Sequence, residues 1–459
     1  MSEQEHLTAH PSDPRYLSLG GKTWIPIGLN TAFVRAWTDP AEALVRHCVW
    51  IDRIADNGGN CARIWLSQPL LDPETKRAGE FDPKAARRLH VLLDRARERD
   101  VKLKLCIDHV RSIFPRKENE LFPGAATFHK PVWAKAAGGP ADTIAEYIDG
   151  KAGREHYLKR VDFFADITGN DTAVMGWELW NEVNCVEGDW VAWTKYMLPE
   201  VARRVSQPVM QSYGGDDYEG GAETYQKGIP IPGNAMAQIH RYINMGSRRS
   251  ETARGPMDIM AGDAIHTVRA LCGGDRPLLL NECSAVEPHY VAPSHLLARD
   301  KKGTLLHDLL FAPFFAGAAG SGMSWYWDHH YFDLHNLWWH LKRFANAVKD
   351  IDPVAEKFQP ERRDIPGIRV WQLSGPRMVT AWLRDAESDW KYELEDGENP
   401  RTVSDARWKP GFSAEQLSNA KIEAYDPWAD TWQTLRADGD EIIIPAFKRS
   451  LVVRARLDL

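Results

Sequence analysis

AVMGWELWNEVN, residues 173–184, is a short apolar run that breaks into polar side chains at Asn181 and Glu182. Its length, and the lack of strict alternation, suit a parallel strand buried on both faces. Upstream, residues of about 154–168 read as a helix; downstream, a Trp-rich helix covers about 189–205. A buried strand framed by two helices is the repeating unit of parallel α/β architecture.

The same alternation extends outward in both directions. Toward the N-terminus, VKLKLCIDHV (101–110) reads as the third strand and CARIWLS (61–67) as the second. Asp82-Pro83 opens a helix between them, with Asp placed to cap and Pro at the first position. PAEALVRHCVWIDRIAD (40–56) carries apolar residues at helical spacing and stops at Gly58-Gly59. Before it, PRYLSL, Gly20-Gly21 and KTWIPIGLN read as a hairpin, with Trp24 to Asn30 as the first barrel strand. Toward the C-terminus, the strand candidates are PVMQSYG (208–214), AMAQIHRY (235–242), RPLLLNECSA (276–285) and GMSWYWDHH (322–330). Helices are expected at about 257–272, from about 303, and at about 336–350. Eight strand-like runs, each followed by a helix or a helix-sized gap, predict a (β/α)8 TIM barrel over residues 1–360. From about Ile365, IRVWQLSG, RMVTAWLRD, KIEAYDPW and EIIIPAF form short alternating segments. They predict a small C-terminal all-β sandwich over 361–459, packed on the barrel for stability.

Bulk properties narrow the function. A net charge of -7, with Lys and Arg dispersed, gives no reason to expect nucleic acid or an anionic membrane as partner. No apolar run approaches a membrane span, and the N-terminus lacks signal-peptide features, so a cytoplasmic location is expected. The six cysteines form no C-x-x-C pair and read as free thiols. The long segment 111–150, with Phe114, Phe122, Phe128 and Trp133, reads as a functional wall or lid. The basic stretch 244–255 reads as a solvated loop, the alternative being a contact for an acidic or extended sugar.

In a barrel, the C-terminal ends of the strands face one shared site. The fourth strand ends with Glu182 and the seventh with Glu282, each just past an apolar run. Paired carboxylates of this kind suit glycoside cleavage: one gives a proton to the leaving oxygen while the other attacks the anomeric carbon. For a retaining enzyme their carboxyl groups should stand about 5–5.5 Å apart. Glu178, deeper on the fourth strand, is expected to be a buried, hydrogen-bonded barrel residue.

WELWNE followed by LLLNE resembles the clan A glycoside hydrolases, family 5 in particular, over about residues 15–355. The resemblance implies that Glu182, preceded by Asn181, is the acid/base and Glu282 the nucleophile. It implies further that Arg63 stands beside the nucleophile and that Tyr242, of the pair His240 and Tyr242, hydrogen-bonds it. His109 matches a subsite histidine, and Trp327 the aromatic platform under the attacked sugar. Val183, Asn281 and Cys283 depart from the usual flanking residues. The expected substrate is a β-mannoside or β-glucoside, with short oligosaccharides favoured. Another clan specificity, such as arabinofuranosidase, and a non-catalytic sugar-binding barrel are the alternatives. No cofactor is implied. No metal is expected either: the first strand offers only GLN, and His329, His330 and His335 lack matching carboxylates on strand ends.

Overall fold

The computed structural model describes residues 6–35, 39–116, 127–218 and 220–457. Parallel strands Gly28–Asn30, Cys61–Trp65, Lys102–Asp108, Val174–Trp180 and Val209–Met210 form one five-stranded sheet in chain order. Ala237–His240 and Leu278–Glu282 pair with each other. Backbone hydrogen bonds close the ring. Ala235 donates to Val209 at 2.9 Å, Ala319 to Leu278 at 2.9 Å, Met323 to Leu280 at 2.9 Å and Ser321 to Pro26 at 3.0 Å. The eighth position is thus an irregular segment, bridged to both neighbours through Ser324.

Helices follow where local signals place them. Pro40–Asp56 is capped by the Asp39 side chain, presents Ala43, Trp50, Ile51 and Ile54 to the core, and stops before Gly58. Pro83–Glu98 is capped by Asp82. Lys151–Thr168, Trp190–Ala202, Met257–Cys272, Thr304–Phe315 and Trp339–Val348 supply the other expected helices. Two details differ from the sequence reading. The stretch 24–30 divides: Trp24 ends the hairpin strand Lys22–Trp24, and the barrel strand is only Gly28–Asn30. Pro26, which has no N–H to donate, lies at the break. The gap after the fifth strand contains a further helix, Gly221–Gly228. In the long third loop, Trp133 stacks on Tyr147 of the short helix Ile144–Asp149 at 4.3 Å. Phe122 lies outside the described residues. Cysteines are free, and no described helix is long and apolar enough to cross a membrane.

The C-terminal region is built on a six-stranded antiparallel sheet. Its order is Gln359–Arg362, Ile368–Ser374, Met378–Asp385, Ser450–Leu457, Ala420–Asp426, Thr431–Thr434. Alternation gives it two apolar faces. Trp371, Leu373 and Trp382 join the barrel's core, while Val370, Ala381 and Val453 pack with two small sheets, one carrying Trp408 and Ile442 and the other Val403 and Phe447. Between barrel and sheet lies Thr304–Phe315, buried along its whole length. Ion pairs satisfy the polar groups there: Arg369 grips both oxygens of Asp258 at 2.7 and 2.9 Å, and Arg384 donates to Asp308 at 2.8 Å.

The contact is closest at Gly262, where an added Cβ would lie 2.2 Å from the Trp371 ring. Helix propensity alone favours Gly→Ala by about 1 kcal/mol. Overpacking against a fixed indole costs about 1–3 kcal/mol. Gly262→Ala is therefore expected to destabilise the chain, seen as a lower urea midpoint; a stabilised variant would show that the sheet yields to the helix.

Candidate active site

The expected carboxylates meet at one end of the ring. One oxygen each from Glu182 and Glu282 and a ring nitrogen of His240 lie within 4.8 Å of one another. They open into a cavity of about 420 Å³, whose walls include Trp65, Arg111, Phe128, Asn181, Tyr242, Tyr290 and Trp325.

Glu282 is held from two sides. Arg63 Nη1 donates to its Oε1, and Tyr242 Oη donates to its Oε2 at 2.8 Å. Burial and the adjacent Glu282 charge push the Tyr242 hydroxyl well above its ordinary range, so it stays a donor. Arg63 is fully buried, and burial opposes its charge. The charges of Glu178 and Glu282 outweigh that and hold it protonated. It grips Glu178 through Nε at 2.9 Å and Nη2 at 2.6 Å, and reaches Asn181 Oδ1 at 2.8 Å. Glu178 also takes Lys104 at 3.0 Å and the Ser212 hydroxyl at 2.5 Å, so it is the buried barrel residue that its depth on the strand predicts.

Glu182 sits in a different field. Its backbone is left-handed at φ 52°, a conformation uncommon outside glycine. Its Oε1 accepts from His240 Nδ1 at 3.0 Å, and its Oε2 accepts from Arg111. Burial alone would raise this carboxyl, but the His240 hydrogen bond and the Arg111 charge outweigh it and hold Glu182 down at about 2.

The His240 tautomer follows from a chain of donors. Lys104 donates to Asn281 Oδ1, and the Asn281 amide donates to His240 Nε2 at 2.7 Å, which leaves Nδ1–H for Glu182. Asn281 can take part because the pairing of the sixth and seventh strands slips between Leu280 and Glu282. A bulge there lets two consecutive side chains reach the same interior.

Two expected site residues are placed elsewhere. His109 is fully buried beneath Trp65, stacked at 4.5 Å, with Nε2 at 2.9 Å from the Thr127 carbonyl. Burial lowers it to about 3, so it is a neutral support for the Trp65 ring. Trp327 is also fully buried, packed edge-on to Phe33 at 5.4 Å and Trp50 at 6.0 Å. It does not line the cavity; Trp325 does. Period-two alternation fails here because Tyr326 turns the chain with φ 68°. Trp325, 5.4 Å from Trp65, forms the aromatic wall in its place.

Sequence reading missed Arg111, Trp65, Tyr290 and the role of Asn281. Arg111 carried a usable signal, being the first residue past the third strand run, at the rim where barrel sites lie. Among the described residues, Asp328, His329 and His330 form a second group with metal-like spacing. Asp328 is already paired with Arg35 at 2.6 Å.

No family model matches the sequence, and no curated protein matches it. Solved structures do match. A glycoside hydrolase aligns over 99% of this chain and 97% of its own, with TM-score 0.58 and 10% identity. A beta-1,4-D-mannanase from Cryptopygus antarcticus covers 76% of this chain and 96% of its own, at TM-score 0.51 and 14% identity. A family 5 mannosidase from Rhizomucor miehei covers 71% and 86%, at TM-score 0.50 and 12% identity. At such identities the likeness is one of fold. The chain has the fold of the glycoside hydrolases, of the type seen in family 5.

Proposed function

We propose that this chain is a retaining glycoside hydrolase that cleaves β-linked mannosides or glucosides by double displacement. The observation that carries this reading is the pair of carboxylates, with oxygens within 4.8 Å of each other. Retaining enzymes set their carboxyls roughly 5–5.5 Å apart, while inverting ones leave about 6.5–9.5 Å for a water. Glu282, gripped by Arg63 and Tyr242, attacks the anomeric carbon. Glu182 protonates the leaving oxygen, then as base activates the water that releases the sugar. Asn181 spends its Oδ1 on Arg63, which leaves its amide N–H groups for the sugar 2-hydroxyl. The aromatic wall of Trp65 and Trp325 suits the apolar face of a hexose. A cavity of about 420 Å³ suits one or two sugar units, and so short substrates. The fold likeness to a mannanase and a mannosidase favours mannosides for the first assay.

The test is hydrolysis of 4-nitrophenyl β-mannoside and β-glucoside, followed by proton NMR of the first-formed anomer. The β anomer is expected first. The α anomer would overturn double displacement, and no hydrolysis of any aryl glycoside would overturn the enzyme reading.

Gly214 gives a finer test of Glu182. An added Cβ there would lie 2.3 Å from Glu182 Oε1, and the carboxylate cannot step aside freely because His240 and Arg111 hold it. Gly214→Ala is expected to lower kcat/KM by about 10–100-fold per folded molecule, with a stability loss of about 1–3 kcal/mol from the crowding. Unchanged kcat/KM would remove Glu182 from the reaction.

A further inference from the structure

Arg111 raises a problem that the double-displacement reading must answer, and this inference rests on that reading. In the ligand-free site Arg111 is an ion-pair partner of the residue that must become a neutral acid. The groups facing Glu182 are Arg111 from the end of the third strand, His240 from the sixth, Glu282 from the seventh and Arg63 from the second. Arg63 already has Glu178 and Glu282, and His240 has Asn281. Arg111 has only Glu182 as a carboxylate within ion-pair distance among the described residues. Its side chain is 28% exposed. The guanidinium lies over the Phe128 ring at 4.9 Å, and its Nε is buried without a hydrogen-bond partner. Protonating Glu182 removes the carboxylate paired with this cation and leaves its buried Nε still without an acceptor, a cost that the Phe128 face offsets only in part.

Position identifies what could replace that anion. Glu182 must touch the glycosidic oxygen, and Glu282 reaches the anomeric carbon from the other side. Arg111 binds the Glu182 oxygen that His240 does not, and it lines the same cavity. A group beside both the glycosidic oxygen and Arg111 belongs to the leaving group. A planar guanidinium recognises a carboxylate through two parallel hydrogen bonds.

We propose that the leaving-group subsite takes a 2-hydroxy acid, joined to the sugar through its hydroxyl, and that Arg111 binds its carboxylate. The substrate carboxylate takes Arg111 from Glu182, and Glu182 takes one proton from solvent, so charge balances on binding. That proton then passes to the glycosidic oxygen as the carbon–oxygen bond breaks. Glu282 forms its bond to the anomeric carbon, and the free 2-hydroxy acid departs.

The experiment compares β-mannosides and β-glucosides of lactate with those of lactamide, which differ only in the charge beside the cleaved bond. The 2,4-dinitrophenyl glycosides of both sugars serve as references that need no acid. For the preferred sugar, the lactate glycoside is expected to exceed the lactamide glycoside in kcat/KM by tenfold or more. Arg111→Gln should bring the lactate-to-lactamide ratio of kcat/KM to about one, a ratio that reads the preference whatever the variant's overall rate. Calorimetry of lactate binding in buffers of different ionisation enthalpy should show uptake of about one proton. Equal kcat/KM for lactate and lactamide glycosides, with the dinitrophenyl reference cleaved, overturns the subsite and leaves the glycosidase reading intact. Failure to cleave either dinitrophenyl glycoside overturns both.

Discussion

Glu282→Ala is expected to lower kcat by on the order of 10⁵-fold or more for every glycoside, good leaving group or poor. No other described carboxylate can take its place. Glu178 is fully buried and locked between Arg63, Lys104 and Ser212, and Glu182 approaches from the opposite side of the bond. The fold should survive the change, because Arg63 keeps its two-point grip on Glu178. The deleted carboxylate leaves a space beside Arg63 and Tyr242 that suits a small anion. Azide should therefore restore turnover of dinitrophenyl glycosides and give the α-glycosyl azide. Glu182→Ala differs in kind. Leaving groups that need no proton should still be expelled, so glycosylation of the enzyme by dinitrophenyl substrates should persist, while substrates with poor leaving groups lose about 10²–10⁴-fold. Equal losses for the two variants across leaving groups would end the role assignment.

Legibility in the sequence followed the range of the interaction that fixes each feature. Helix Pro40–Asp56 matches the expected 40–56 because its cap Asp39, its apolar stripe and its glycine stop are all local. Glu182 and Glu282 could be found because they form a pair, each a charge just past an apolar strand run; Arg63, in the middle of Cys61–Trp65, was found only through the family resemblance. The bulge opposite His240 depends on how two strands distant in sequence pair, so it left no mark that would give Asn281 its part in orienting His240. Arg111 was visible as a rim residue, but its partner was not, since the pairing depends on the register between the neighbouring strands Lys102–Asp108 and Val174–Trp180 and on the left-handed turn at Glu182. The C-terminal strands were legible by alternation. Their partner on the barrel was not, because Gly262 looks like any helical glycine until Trp371 is seen against it.

The two tryptophans of the eighth segment separate these kinds of information in one experiment. Alternation puts Trp325 and Trp327 on one face, with Trp327 nearer the rim. The turn at Tyr326, φ 68°, instead sends Trp327 back between Phe33 and Trp50 and leaves Trp325 at the cavity. Trp327 is fully buried in the main core cluster, where it meets the first-strand loop and the first helix. Truncating an aromatic there removes its buried surface and leaves a cavity its rigid neighbours cannot fill. Trp327→Ala should cost about 3–5 kcal/mol, with near-normal kcat/KM per folded molecule in whatever fraction folds. Trp325 is only half-buried, so Trp325→Ala should cost less stability. It removes half of the aromatic wall it forms with Trp65, and with it the surface that holds the sugar near Glu282. Its kcat/KM should fall by about tenfold or more. Urea denaturation and kinetics on the same preparations read both numbers. If Trp327→Ala proved stable and inactive while Trp325→Ala proved unstable and active, the alternation reading would be restored and the turn at Tyr326 refuted.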